Sequence, residues 1–463
     1  MKRLTILLLV SSSALLADGW SDLRRSCFTR SSLWPPNYWL AECVQELMTT
    51  DYVNLKLGTV APGAGIFAYG LGISHPLHWG QTEFLPGGEF VRSTDGSFLL
   101  RDSITIGLPT SGLSDSTQSA ARYGTYRHRI SQESRLLDAK SSVTLSVSRM
   151  EAKEQDLYGL GNDTAFAAHP PSYGLRLNDA SIAWNTALFF WSSAGVNADF
   201  LQPRVGISSN SAAPQVRDRF SNSTVPGLVG YTDFASFQPY LLVQVPAHRS
   251  TYIAMDLGYA FYHSIDDGNQ YSFRRLSADA RFVRPLTFSA HRRKLFNPIT
   301  DPHVKVSRAS KSTGQHVLDT ICWNLRGADY CSIGDISVFA RVDYAFTGAN
   351  SSVPFYFQST LGGTDFQGMD TLRGYADYRF RAPNRMLGQV EYRHPVWGPV
   401  GIVGFYDVGR VAIDRSDLSI DHLRHDWGVG LYARIGGREV ARIYLGFGTR
   451  EGTQLHPKMG SLY

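Results

Sequence analysis

The sequence predicts an all-β chain, a transmembrane antiparallel β-barrel, and three observations predict it. An export signal opens the chain. The segments after it are patterned with a period of two. Aromatic residues make up 12% of the chain, with 23 Tyr, 25 Phe and 43 Gly, and no apolar run after the signal has the length of a spanning helix.

The first residues read MKRLTILLLVSSSALLADGW. Lys2 and Arg3 form a basic start, Leu4 to Leu16 is a short apolar run, and Ala17 precedes the polar Asp18. The run is shorter than the ~20 residues a spanning helix needs, so a cleaved signal over 1–17 is expected rather than a membrane anchor. An exported barrel belongs in the bacterial outer membrane.

Mean hydropathy is −0.17. A barrel strand is apolar on one face only, because a long continuous apolar run would insert as a helix. The formal charge is +5, or 5 − 2 = +3 once Lys2 and Arg3 are lost with the signal. No basic cluster or nucleic-acid motif accompanies it, and export excludes nucleic acid as partner.

Four cysteines fall into two local pairs, Cys27 with Cys43 and Cys322 with Cys331. An even count in an exported chain favours disulfides. A metal site is the alternative, but there is no C-x-x-C and no His at ligand spacing. No metal and no cofactor is expected.

Residues 18–52 are not strand-like. Pro36 suits a first helical turn, and Leu40, Cys43 and Leu47 have helical spacing, so a short periplasmic or plug segment is expected. The barrel is expected over 53–463. Val143, Leu145 and Val147 alternate with Thr144, Ser146 and Ser148. Ile253, Met255, Leu257, Tyr259 and Phe261 alternate with Ala254, Asp256, Gly258 and Ala260. Ile336, Val338, Ala340, Val342 and Tyr344 oppose Ser337, Arg341 and Asp343. Trp427, Val429 and Leu431 oppose Asp426, Gly428 and Tyr432, and Ile443 and Leu445 oppose Arg442 and Tyr444.

These runs are about ten residues long, the length a tilted strand needs to cross a bilayer. Charges and glycines gather on the second face, which suits a wet lumen. A soluble propeller would show a repeat of about 40 residues, and none is visible. Long polar stretches around 206–232, 288–335 and 347–385 are expected as external loops.

Residues 361–411 carry the most specific pattern. Leu372, Arg373, Gly374 and Tyr375 spell L-R-G-Y. Glu391, Tyr392 and Arg393 follow, and then Gly404, Phe405, Asp407 and Gly409 in G-F-Y-D-V-G. Arg373 and Asp407 are 407 − 373 = 34 residues apart. Alternation puts Glu391 and Asp407 on the lumen faces of strands 386–396 and 400–411. A loop entering the lumen would bring Arg373 to them, and arginine binds a carboxylate bidentately. Gly374 is expected to free the tip backbone, and Gly404 and Gly409 to leave room for it.

In these segments the chain closely resembles the BamA/TamA-type outer-membrane assembly barrels, the bacterial surface antigen family. The resemblance implies about sixteen strands and an inward-folded long loop latched by Arg373. It also implies a role in outer-membrane protein assembly or translocation, with membrane lipids and unfolded outer-membrane proteins as partners. The segment 156–164 (DLYGLGNDT) and an aromatic last residue, Tyr463, agree with it. About 35 residues separate signal and first strand, so no POTRA module is expected there, and a separate periplasmic partner would have to supply one. A passive channel or structural barrel is the other reading. No G-x-S-x-G, H-E-x-x-H or P-loop is present, so no enzyme is expected. Ser74 and His75 form the only sequence that invites a lipase reading.

Overall fold

In the computed structural model, the described residues are 53–58, 60, 68–74, 77–79, 82–108, 141–189, 191–246, 251–265, 270–289, 330–365, 368–397, 400–435, 438–448 and 451–459. The cysteine pairs and the 18–52 segment lie outside them, save Cys331, whose backbone alone is described at the start of a strand. His75 and Tyr463 also lie outside, while Ser74 ends a strand.

The strands are β1 Val53–Gly58, β2 Ala68–Ser74, β3 Leu77–Trp79, β4 Thr82–Ser93, β5 Phe98–Leu108, β6 Ser141–Asp156, β7 Ser172–Phe189 and β8 Ser192–Ile207. Next come β9 Phe234–Pro246, β10 Tyr252–Ser264, β11 Phe273–Ser289, β12 Tyr330–Thr347, β13 Ser359–Leu361 and β14 Phe380–Ala382. The last are β15 Asn384–Trp397, β16 Val400–Ala412, β17 Arg424–Ile435, β18 Arg438–Gly448 and β19 Gly452–Met459.

Antiparallel ladders join each barrel strand to the next, from β1–β2 through β9–β10 and β12–β15 to β18–β19. β2 and β3 both pair with β4 and share one position, so the 17-stranded sheet is a barrel of 17 − 1 = 16 staves. β1 and β19 lie beside each other, with Cα atoms within 8 Å. Among the described residues no ladder joins them. β13 and β14 pair with each other apart from the barrel wall, at the base of the long segment between β12 and β15.

Side chains alternate as a membrane wall requires. Leu145, Ile182, Met255, Val338, Val390, Ile402, Val429 and Ile443 are exposed on the outside. Their neighbours Thr144, Asp256, Arg341, Glu391, Val403 and Tyr444 are buried on the inside. Soluble proteins rarely expose large contiguous apolar patches, and an apolar exterior around a polar interior is the pattern of a membrane barrel.

Strand alternation also sorts the connections by end. β15 ends and β16 begins, and β17 ends and β18 begins, at the end where β1 begins and β19 finishes, with two residues between the strands of each pair. Residues 208–233 and 348–383 emerge at the opposite, external end. Residues 290–329, between β11 and β12, do not join them. β11 ends and β12 begins at the end where β1 begins, so the expectation of three long external stretches holds for two. Polarity marks a stretch as outside the bilayer, and strand parity decides its side.

The external end is covered. A one-turn helix, Val216–Arg219, and the residues after it bury Val216, Val225 and Leu228 against Tyr173, Phe234, Phe355 and Tyr356. Phe355 meets Tyr173 edge-on at 5.0 Å. This apolar lid fixes the start of the long segment, which then turns down into the lumen.

Candidate functional site

The segment 362–379 is shaped by glycines and then gripped by the wall. Gly362 and Gly363 have φ of 108° and 56°, conformations open to glycine, and the turn they make reverses the chain. Leu372 and Tyr375 are buried with Leu361, Phe380, Leu387 and Val411. Between those two anchors lies Arg373.

Arg373 donates from Nε to Asp407 at 2.8 Å and from Nη2 to the other Asp407 oxygen at 2.7 Å. Its Nη1 reaches Glu391 at 2.6 Å. Gln389 donates to Asp407 at 3.1 Å and to the Thr371 carbonyl at 3.0 Å, tying wall to loop. The guanidinium stacks over Phe405, 3.7 Å from its centroid, with Tyr444 at 4.8 Å. Burial opposes the charge on Arg373, but Asp407 and then Glu391 outweigh it and hold the guanidinium well above its ordinary value. The cation is permanent and orientated by a bidentate bond.

Backbone fit completes the seat. A Cβ on Gly374 would lie 2.6 Å from the Gly448 amide and 2.6 Å from the Asp426 Cβ. One on Gly446 would lie 2.3 Å from the Arg373 carbonyl oxygen. Gly374 is therefore required for space against β17 and β18. Its φ is outside the left-handed region, so freedom of the tip is not the reason. Gly409 lies under Leu361, as expected for close approach, with its built Cβ 2.9 Å from that side chain. Gly404 differs from its expected role. It points outward, and a Cβ there meets nothing within 4 Å. Alternation places 403, 405, 407 and 409 inside and 404 on the lipid face.

Arg373 is one of several anchors. Asp370 on the loop pairs with Arg442 at 2.5 Å. Asp365 receives Arg385 at 2.9 Å and Arg341 at 3.5 Å, while those arginines also hold Asp343 and Asp279. Arg393 bridges Glu391 and Glu439, the latter at 2.9 Å. At the loop's exit Arg379 reaches Glu451 at 2.6 Å and the Thr164 carbonyl at 2.7 Å. The Gly161 amide bonds the Arg381 carbonyl at 2.7 Å, so residues 156–164 brace the loop base.

The sequence motif brings together Arg373, Glu391, Phe405 and Asp407. Reasoning from it missed Asp365, Asp370, Arg385, Arg442 and the glycines of β18. Their only signal was an inward parity shared with many lumen residues.

A sixteen-stave wall, apolar outside and charged within, and a loop clasped inside it by L-R-G-Y define a transmembrane β-barrel with an inward-folded loop. No family model matches the chain, and no curated protein matches it. Among solved structures it is similar to BamA from Haemophilus ducreyi lacking POTRA domains 1–3, at 12% identity and TM-score 0.47, over 95% of this chain and 80% of that one. It is also similar to CdiB from Acinetobacter baumannii and CdiB from Escherichia coli. Each is 11% identical with a TM-score of 0.47, over 88% and 94% of this chain and 59% and 72% of theirs. The fold assignment rests on the ladders and the clasp rather than on these scores.

Proposed function

We propose that this barrel serves outer-membrane protein assembly or translocation, with the inward loop as the element that positions its lumen. The observation that carries the reading is the clasp. A long loop is pulled back through the barrel and seated by a bidentate arginine, in a sequence pattern that resembles the assembly barrels. Breaking a buried ion pair by removing one partner costs about 3–5 kcal/mol. An element held by so large a term has one defined position, which a machine acting on other chains needs and a simple pore does not.

The test is insertion of an unfolded model barrel protein into liposomes with and without this protein, comparing wild type with Arg373→Ala. Faster insertion that the folded variant loses supports the reading. No acceleration by wild type, alone or with added periplasmic extract, removes it. A passive channel is the second reading, supported by the loop's ion pairs with inward-facing wall residues. It predicts steady conductance that rises when the loop is shortened, with no effect on insertion.

A further inference from the structure

The outer surface carries a feature unrelated to the clasp. On β4, β6, β7 and β8 the apolar exterior stops at one level and cations begin. Val147, Ala180 and Phe200 form one cross-strand row. Four residues further toward the external end, about 13 Å along the strands, Glu151, Arg176 and Arg204 form a second row, with Arg149 midway between the two levels. Arg92 closes the same level on β4, opposite Phe98.

The charges there do not balance. Glu151 is shared by Arg149 at 3.7 Å, Arg176 at 3.3 Å and Lys153. Arg204 pairs with Asp233 at 2.6 Å. Five cations thus bond or adjoin two carboxylates, an excess of 5 − 2 = 3. The register also makes Arg176 and Arg204 direct cross-strand partners, an arrangement of like charges that destabilises a sheet unless an anion lies between. Arg149 and Arg176 each keep about half of their side chains exposed, at 48%. The exposed ring of Tyr231 lies beside Arg204, 5.4 Å from its guanidinium. Three staves beyond β8, on β11, Arg274 lies between Phe261 and Phe346, with no cation directly opposite it on either neighbouring strand.

We propose that this rim binds the phosphorylated headgroup of an anionic, multiply acylated lipid in the external leaflet, with Arg149, Arg176 and Arg204 holding its phosphates. The arginine fork matches phosphate bidentately. Acyl chains descending from phosphates at this level run over Val147, Phe200 and Ile182, all of which are exposed. A soluble anion would use the same cations but gain nothing from that apolar surface, so the site selects a lipid.

The experiment uses the full chain in zwitterionic nanodiscs and titrates fluorescent bisphosphorylated lipid A. Each surface arginine contributes about 1 kcal/mol toward an anionic lipid, so the variant Arg149→Ala/Arg176→Ala/Arg204→Ala should raise Kd on the order of 100-fold, while Arg274→Ala leaves it unchanged. Dephosphorylated lipid A should bind far more weakly, and inorganic phosphate should compete only at high concentration. Folding of each variant is read from heat-modifiable gel mobility. If the triple variant does not fold, Arg149→Gln and Arg176→Gln decide, each expected to weaken binding about fivefold. Unchanged Kd in a folded variant, equal binding of the dephosphorylated lipid, or inorganic phosphate competing at the lipid's own concentration would each overturn the proposal.

Discussion

Asp426 on β17 faces Asp407 on β16 directly across the ladder, and only Asp407 has an arginine. Both are fully buried. The Gly374 amide and the Arg373 guanidinium from the loop, and the Asp407 carboxyl from the neighbouring strand, are polar groups that act on Asp426. The two carboxylates are thus unequal in role. Asp407 fixes Arg373, while Asp426 adds a second acid behind it that no ion pair reaches among the described residues.

That inequality predicts opposite outcomes for the same substitution. Asp407→Asn leaves the Arg373 charge with only Glu391 and should cost about 3 kcal/mol. Asp426→Asn keeps a polar group of the same size that can donate to Asp407, and should leave stability unchanged or raised. The check is the temperature at which each variant loses its folded, heat-modifiable band. Equal losses would mean that Asp426 is as much a part of the clasp as Asp407.

Glycines within the motif separate by direction. Gly374→Ala forces a methyl group onto the Asp426 Cβ of β17 and the Gly448 backbone amide of β18, each 2.6 Å away. The loop should lift without any charge having been removed, seen as new protease cleavage within 362–379. Gly404→Ala adds a methyl group to open space on the lipid side and should leave the digestion pattern unchanged. Cleavage in both variants, or in neither, would contradict the seat described for the loop.

The fold was readable because a membrane barrel writes itself in parity. The alternation of Leu145 with Thr144, or of Val429 with Asp426 and Gly428, places each residue without knowledge of its partners. The clasp was readable because L-R-G-Y and G-F-Y-D-V-G lie close in sequence and converge on one ion pair. The rest of the network was not readable. Asp365 meets Arg341, and Asp370 meets Arg442, in pairings that only the folded wall determines. Parity shows that such residues face inward but not at what height they meet the loop. Gly404 was misassigned for the complementary reason, since membership in a motif outweighed its own position in the alternation.

The second anchor can be tested against the first. Arg442 holds Asp370 at 2.5 Å on β18, while Arg373 holds Asp407 on β16. Both act on one loop, so their removals are coupled rather than additive. Arg442→Ala alone should leave the loop protected, because Arg373 still fixes it. In the Arg373→Ala background the same change should expose the loop fully, with a coupling of about 1–3 kcal/mol in a double-mutant cycle on folded-state stability. Simple additivity would show that the two ion pairs hold the loop independently.

The membrane placement has its own test. Val429 lies in the middle of β17, half exposed on the outer face between Gly404 of β16 and Leu445 of β18. An arginine on the lipid face costs about 2–4 kcal/mol at the bilayer midplane and almost nothing near the interfaces. Val429→Arg should therefore lower stability in lipid vesicles by that amount, read from urea unfolding followed by tryptophan fluorescence. Ile420 is more exposed still, at 79%, yet it belongs to the connection between β16 and β17 at the external end. Ile420→Arg should change stability by less than about 0.5 kcal/mol, as surface substitutions usually do. If exposure alone governed the cost, the more exposed Ile420 would be the costlier site. If the bilayer governs it, Val429 is, and the apolar exterior is the surface that meets lipid.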